Sequence, residues 1–208
     1  MLYRYLLIVR FALVNIVAVA LLIAAYLQGW LDGVFAAELL VLSGLICIVF
    51  LYGLLVCGLR IWRFCTDLNA VAAGTPDARS QAGRYLVQIE GIGAESRAAL
   101  AATLRLKLTD RIVVVRHVAN SLVFLGLIGT VIGFIIALSG VDPATAGQVE
   151  NVTAMVSTLI NGMSVALYTT LVGAVLYVWL SINYRILVTG AVDLIAATME
   201  LGEARARA

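Results

Sequence analysis

Charge is what the apolar stretches of this chain lack. Four runs, residues 6–28, 35–59, 118–139 and 154–182, hold no Asp, Glu, Lys or His away from their ends; Arg10, Glu38 and His117 all lie near ends. Proton relays within a membrane use titratable side chains, and ion pathways are usually marked by them. Alone, then, the chain has no chemistry for moving protons: either it does not move them, or another subunit supplies the carboxylate. Proline is scarce too, and Pro76 and Pro143 both fall between the runs, so nothing in the runs removes a helical hydrogen bond. The single histidine, His117, has no Cys or His neighbour, and a metal site needs clustered ligands. Cys47, Cys57 and Cys65 have no evident partners across the membrane, so no disulfide framework is expected. No nucleophile, base or metal constellation can be assembled, and the expectation is a chain that is not an enzyme and holds no cofactor or metal.

What is present is apolar surface. At 63% hydrophobic and 12% charged, with a mean hydropathy of +1.06, the sequence lies far outside the range of soluble domains. Crossing the hydrocarbon takes roughly 20 apolar residues, a length each run meets. Helices are the expected element, because a backbone in lipid must satisfy its polar groups within its own segment. The run 6–28 is longer than the apolar core of a signal peptide, and Gln28-Gly29-Trp30 lacks a small-x-small cleavage pattern; it is read as a retained span.

All 14 basic residues fall on one side of the four runs. Arg4 and Arg10 open the first, nine from Arg60 to Arg116 fill the central connection, and Arg185, Arg205 and Arg207 follow the last. The turns on the other side, 29–34 and 140–152, carry only Asp32, Asp142 and Glu150. Basic loops resist translocation, so both termini are expected in the cytoplasm. Asp67, Asp77, Glu90, Glu95 and Asp110 dilute the central basic segment, and topology explains its charge more cheaply than a nucleic-acid partner. The resulting fold class is an all-α polytopic membrane protein with four transmembrane helices and helical cytoplasmic extensions. Its regions are a first hairpin (1–60), a cytoplasmic insert (61–116), a second hairpin (117–188) and a tail (189–208). Tyr26, Trp30 and Phe35 suit an outer aromatic belt, and Trp62, Phe64, Trp179 and Tyr184 an inner one.

Within the insert, Gly74-Thr75-Pro76-Asp77 should end a continuation of the second helix, and residues 95–116 should run as helix straight into the third span. The insert has too few apolar residues for a core of its own, and is expected to pack as helical extensions against itself or neighbouring subunits.

The second hairpin carries the most specific pattern. Gly126, Gly129, Thr130, Gly133 and Ala137 fall on one face of the third span. In the fourth, Gly162, Ala166, Thr169 and Gly173 make a small face with Thr170 at its edge, while Ser157, Asn161, Ser164 and Tyr168 make a polar stripe on another side. Small residues in a row allow close approach of helix backbones in lipid. Ordinary packing within one monomer accounts for such a face, as does a shared channel or a partner helix. Counted inward from each end at 1.5 Å per residue, Thr130 lies about 18 Å deep and Thr170 about 21 Å, so the two hydroxyls should approach one mid-membrane level.

These residues carry a resemblance. Leu125-Gly126-Leu127-Ile128-Gly129-Thr130-Val131-Ile132-Gly133 resembles the Gly-Leu-x-Gly-Thr-Val-x-Gly motif of the MotA/TolQ/ExbB proton-channel family, and residues 162–173 resemble that family's last-helix motif, with Thr170 at its threonine. The resemblance implies a channel-forming stator subunit of a proton- or sodium-driven motor in the bacterial inner membrane. It implies a pentamer around a dimer of a smaller single-span partner, of the ExbD, TolR or MotB kind, whose aspartate carries the ion. Thr130 and Thr170 inherit the ion-path role, with Thr169 as a weaker neighbour, and Gly126, Gly129, Gly133, Gly162, Ala166 and Gly173 inherit helix packing. Val123 stands where many members have proline, and Val165 where the TolQ and ExbB branch often has glutamate. Four spans match the MotA layout, whereas TolQ and ExbB usually have three. The alternatives are a four-span scaffold that uses its glycine faces only for assembly, and a small transporter with a site near Asn161 and Tyr168.

Overall fold

The computed structural model describes residues 3–29, 40–76, 80–89, 94–140 and 149–207. Those residues form five helices and no strand: α1 (Tyr3–Leu27), α2 (Leu40–Ala72), α3 (Gln81–Ile89), α4 (Ala94–Ser139) and α5 (Val149–Arg207). Four of them, α1, α2, α4 and α5, are long and apolar enough to cross a membrane, and the chain is a multi-pass membrane protein. The 46 residues of α4 and 59 of α5 extend about 69 and 88 Å at 1.5 Å per residue. Both exceed the roughly 30 Å hydrocarbon layer.

The helix ends follow local chemistry. Gly74 adopts φ 70°, a left-handed conformation that costs glycine little. Thr75 N–H donates to Ala70 O at 3.1 Å and Gly74 N–H to Val71 O at 3.0 Å, which is the Schellman pattern for satisfying the last carbonyls. Pro76 follows, and α2 stops where the sequence expects. At the start of α3, the Ser80 hydroxyl accepts from Gly83 N–H at 2.9 Å, as an N-cap serine does.

The chain divides into two compact units. One comprises residues 1–16, 54–117 and 181–208. Ala82, Tyr85, Leu86 and Ile89 bury one face of α3. Leu104, Leu108, Ile112 and Val115 of α4 are buried, as are Leu187, Ala191, Leu194 and Thr198 of α5. Both sets recur at helical spacing, so each marks one face. A methyl group at Gly202 would stand 2.6 Å from Ile89 Cδ1; the missing side chain lets α5 lie against α3. Burial pushes the Tyr85 phenol up, the Glu203 carboxylate adds to the rise, and Arg97 opposes it. In the same unit Asn15 Nδ2 donates to Asn183 Oδ1 at 2.9 Å, and the Cys57 thiol to Asn183 O at 3.6 Å.

This arrangement differs from the expected one in two respects. Residues 189–208 are no separate tail: α5 continues unbroken to Arg207 and its end belongs with the insert. The insert gains its core from that partner, so its own modest apolar content suffices. Of the expected aromatic belts, Tyr26 and Trp62 are exposed, but Phe64 and Trp179 are buried, because their helix faces meet protein. Trp30 and Phe35 lie outside the described residues, as do most of the two turns between spans, 30–39 and 141–148.

The other unit comprises residues 17–53 and 118–180. Phe50 and Trp179 stack at a 4.9 Å centroid distance and 51° tilt. A methyl at Gly53 would come within 2.7 Å of both Val118 and Leu180 side chains.

Candidate functional site

The second hairpin, α4 with α5, is closed by its small residues. Gly126, Gly129, Gly133 and Ala137 of α4 are buried, and so are Gly162, Ala166, Thr169 and Gly173 of α5. They meet in antiparallel register. A Cβ on Gly133 would lie 2.6 Å from Gly162 O and 2.7 Å from Ala166 Cα; one on Gly162 would lie 2.6 Å from Ala137 Cα. One on Gly173 would stand 2.7 Å from Leu122 O and 3.1 Å from Gly126 Cα. These are backbone-to-backbone contacts, available only because side chains are missing. The six glycine and alanine positions singled out from the sequence thus pack one hairpin together within a single chain.

Thr169 belongs to this seam. It is fully buried against Gly129, and its hydroxyl donates within its own helix, to Val165 O at 2.9 Å or Ala166 O at 3.2 Å. Such back-bonding satisfies the group locally. Val165 beside it is buried as well.

Thr130 and Thr170 behave differently. Their hydroxyls meet each other across the hairpin, as the depth count expects. Both also reach Gly126 O, Thr130 Oγ1 at 3.2 Å and Thr170 Oγ1 at 3.1 Å. Thr170 is exposed and Thr130 half-buried, so the pair lies at the edge of the seam, open to the surface of the chain. Counting protons defines its chemistry. Each hydroxyl carries one hydrogen and two lone pairs. One hydroxyl donates to the other and that one to the carbonyl, so both protons are spent inside the group. What remains facing outward is lone pairs, and the group accepts: a sodium ion, a hydronium ion or the O–H of a carboxylic acid would suit it.

No charge competes at this place. Among the described side chains of residues 17–53 and 118–180 there is no Asp, Glu, Lys, Arg or His. The polar stripe of α5 is separate: Ser157 and Asn161 are exposed, while Ser164 and Tyr168 are half-buried. The Ser164 hydroxyl closes on Ile160 O at 2.9 Å. The Gly126 carbonyl escaped sequence reasoning. Its signal was the four-residue spacing to Thr130, which places a hydroxyl over the carbonyl one turn earlier.

Comparison with known proteins agrees with this hairpin. Neither the curated proteins nor the solved structures compared with the chain gave a match. The model of the MotA/TolQ/ExbB proton channel family matches residues 86–200, more than half of the chain, taking in the whole glycine seam and the threonine pair. The chain therefore belongs to the MotA/TolQ/ExbB proton channel family.

Proposed function

We propose that the chain is the channel-forming stator subunit of an ion-driven motor in the bacterial inner membrane, moving protons or sodium ions. Five-fold assembly around a dimer of a single-span ExbD-, TolR- or MotB-like partner provides the aspartate that the spans lack. Both termini and the arginine-rich helical extensions face the cytoplasm, in keeping with the placement of basic residues. The observation that carries the reading is the acceptor group of Thr130, Thr170 and Gly126 O. It lies open on an otherwise charge-free span, where a carboxylic acid or cation from a companion helix finds oxygen ligands and no competing charge. Thr169, closed on its own helix, supports the path by packing.

Replacing both Thr130 and Thr170 by valine keeps the shape and removes the lone pairs. The expected outcome is loss of ion-driven work by the complex, with assembly intact in native mass determination as a pentamer carrying two smaller chains. Full activity in that double variant, or cation conduction by the isolated chain in liposomes, overturns the proposal.

A further inference from the structure

Four arginines converge on one cavity in the unit that holds residues 54–117. The cavity, about 590 Å³, lies between α2, the start of α3 and α4. Arg60 and Arg63 come from α2, Arg84 from α3 and Arg111 from α4, against one lining carboxylate, Asp67. Gln81 ties two of them together. With its amide oriented so that Oε1 faces both guanidiniums, it accepts from Arg84 Nη2 at 3.0 Å and from Arg111 Nη2 at 3.1 Å, the orientation that hydrogen bonding requires. A neutral oxygen fixes these cations in place but cancels none of their charge. The two nitrogens are held within about 6 Å of each other, and a guanidinium has five donors in a planar fork. Most of those donors remain for an anion, and forks so placed suit separate oxygens of one phosphate. The Ser80-capped start of α3 sits on the same wall, adding the positive end of a helix.

The surroundings indicate what carries the phosphate. Leu55, Leu59 and Trp62 are 62%, 55% and 66% exposed and fall at i, i+4 and i+7 on α2. They form one apolar strip that reaches the cavity at Trp62. Tryptophan at this position is what a membrane–water boundary favours, and basic pockets between spanning helices suit anionic headgroups.

We propose that this cavity binds a phosphate group, carried by an anionic phospholipid whose acyl chains lie along the Leu55, Leu59 and Trp62 strip. The site shares no residue with the threonine pair.

The test uses the full chain in non-ionic detergent, titrated separately with phosphatidylglycerol, phosphatidylcholine and inorganic phosphate. Lipid adducts are counted by native mass spectrometry, and protection against heat is measured alongside. Phosphatidylglycerol should be retained over phosphatidylcholine, whose quaternary ammonium the arginines repel, and added salt should weaken it. In Arg84→Gln/Arg111→Gln the retention should fall about thirtyfold. Arg84→Lys/Arg111→Lys keeps the charge but loses the forks and should fall less. Arg97→Gln/Arg105→Gln removes two charges outside the cavity and should change nothing. Protection by inorganic phosphate without lipid preference keeps the phosphate site and overturns its lipid source. Equal retention of both lipids with no response to phosphate overturns the site. So does retention that is unchanged in the glutamine pair or insensitive to salt in the unaltered chain.

Discussion

Inside each unit the helices meet by different means. In residues 118–180, α4 and α5 meet where side chains are missing, Gly133 against Gly162 and Ala166, and Gly173 against Gly126 and Leu122 O. In residues 54–117 and 181–208 the helices meet mainly through what side chains fill, with Leu108, Leu187 and Leu194 each almost wholly buried and Gly202 against Ile89 an exception. The first arrangement suits a solvent as apolar as leucine itself, in which burying leucine gains little and close van der Waals contact gains more. The second buries side-chain apolar area, the term that drives packing wherever helices stand in water. One polypeptide thus uses two packing rules, and each rule fits the composition of its segment.

Substitutions can break or sharpen that contrast. The largest effect is expected from Leu194→Ala. Leu194 is fully buried, and truncation there should cost about 2–5 kcal/mol, read as a fall in the unfolding midpoint of the detergent-solubilised chain. Adding a single methyl on the other side should cost somewhat less. Gly133→Ala places a Cβ 2.6 Å from Gly162 O, so the backbones must part, at about 1–3 kcal/mol. Rescue of its thermal midpoint would not be expected from any exposed site. A midpoint unchanged by Gly133→Ala would mean that the seam tolerates side chains, and the contrast would fall. The smallest effect is expected from Gly44→Ala. Nothing lies within 4 Å of a Cβ at Gly44, so its stability should stay within about 0.5 kcal/mol of the unaltered chain. A large loss of oligomer in that variant would place Gly44 against a neighbouring copy.

Much of this was legible in the sequence, and the reasons are specific. Four uncharged runs of sufficient length leave helices as the only spanning element, and Gly74 before Pro76 marks the end of α2. The face carrying Gly126, Gly129 and Gly133 is readable because helical period and small size coincide. That Thr169 turns inward while Thr170 lies at the edge follows from the 100° between neighbours on a helix; the seam then decides that Thr169 packs. Two features were not legible. The α3 helix has only nine residues, too short a window for periodicity to stand out, and part of its packing surface is supplied by Gly202, far along the chain. The end of α5 carries Asp193, Glu200 and Glu203 between its apolar positions, which disguises the buried stripe of Leu187, Ala191, Leu194 and Thr198.

The threonine pair has one further consequence. Aliphatic hydroxyls neither gain nor lose a proton across the range in which cells live, so these two ligands present the same face in acid and in alkali. Any bell or step in a plot of flux against pH is therefore the signature of some other group. Under the proposed function, exchanging the acid of a companion helix, rather than editing this hairpin, is what would move it.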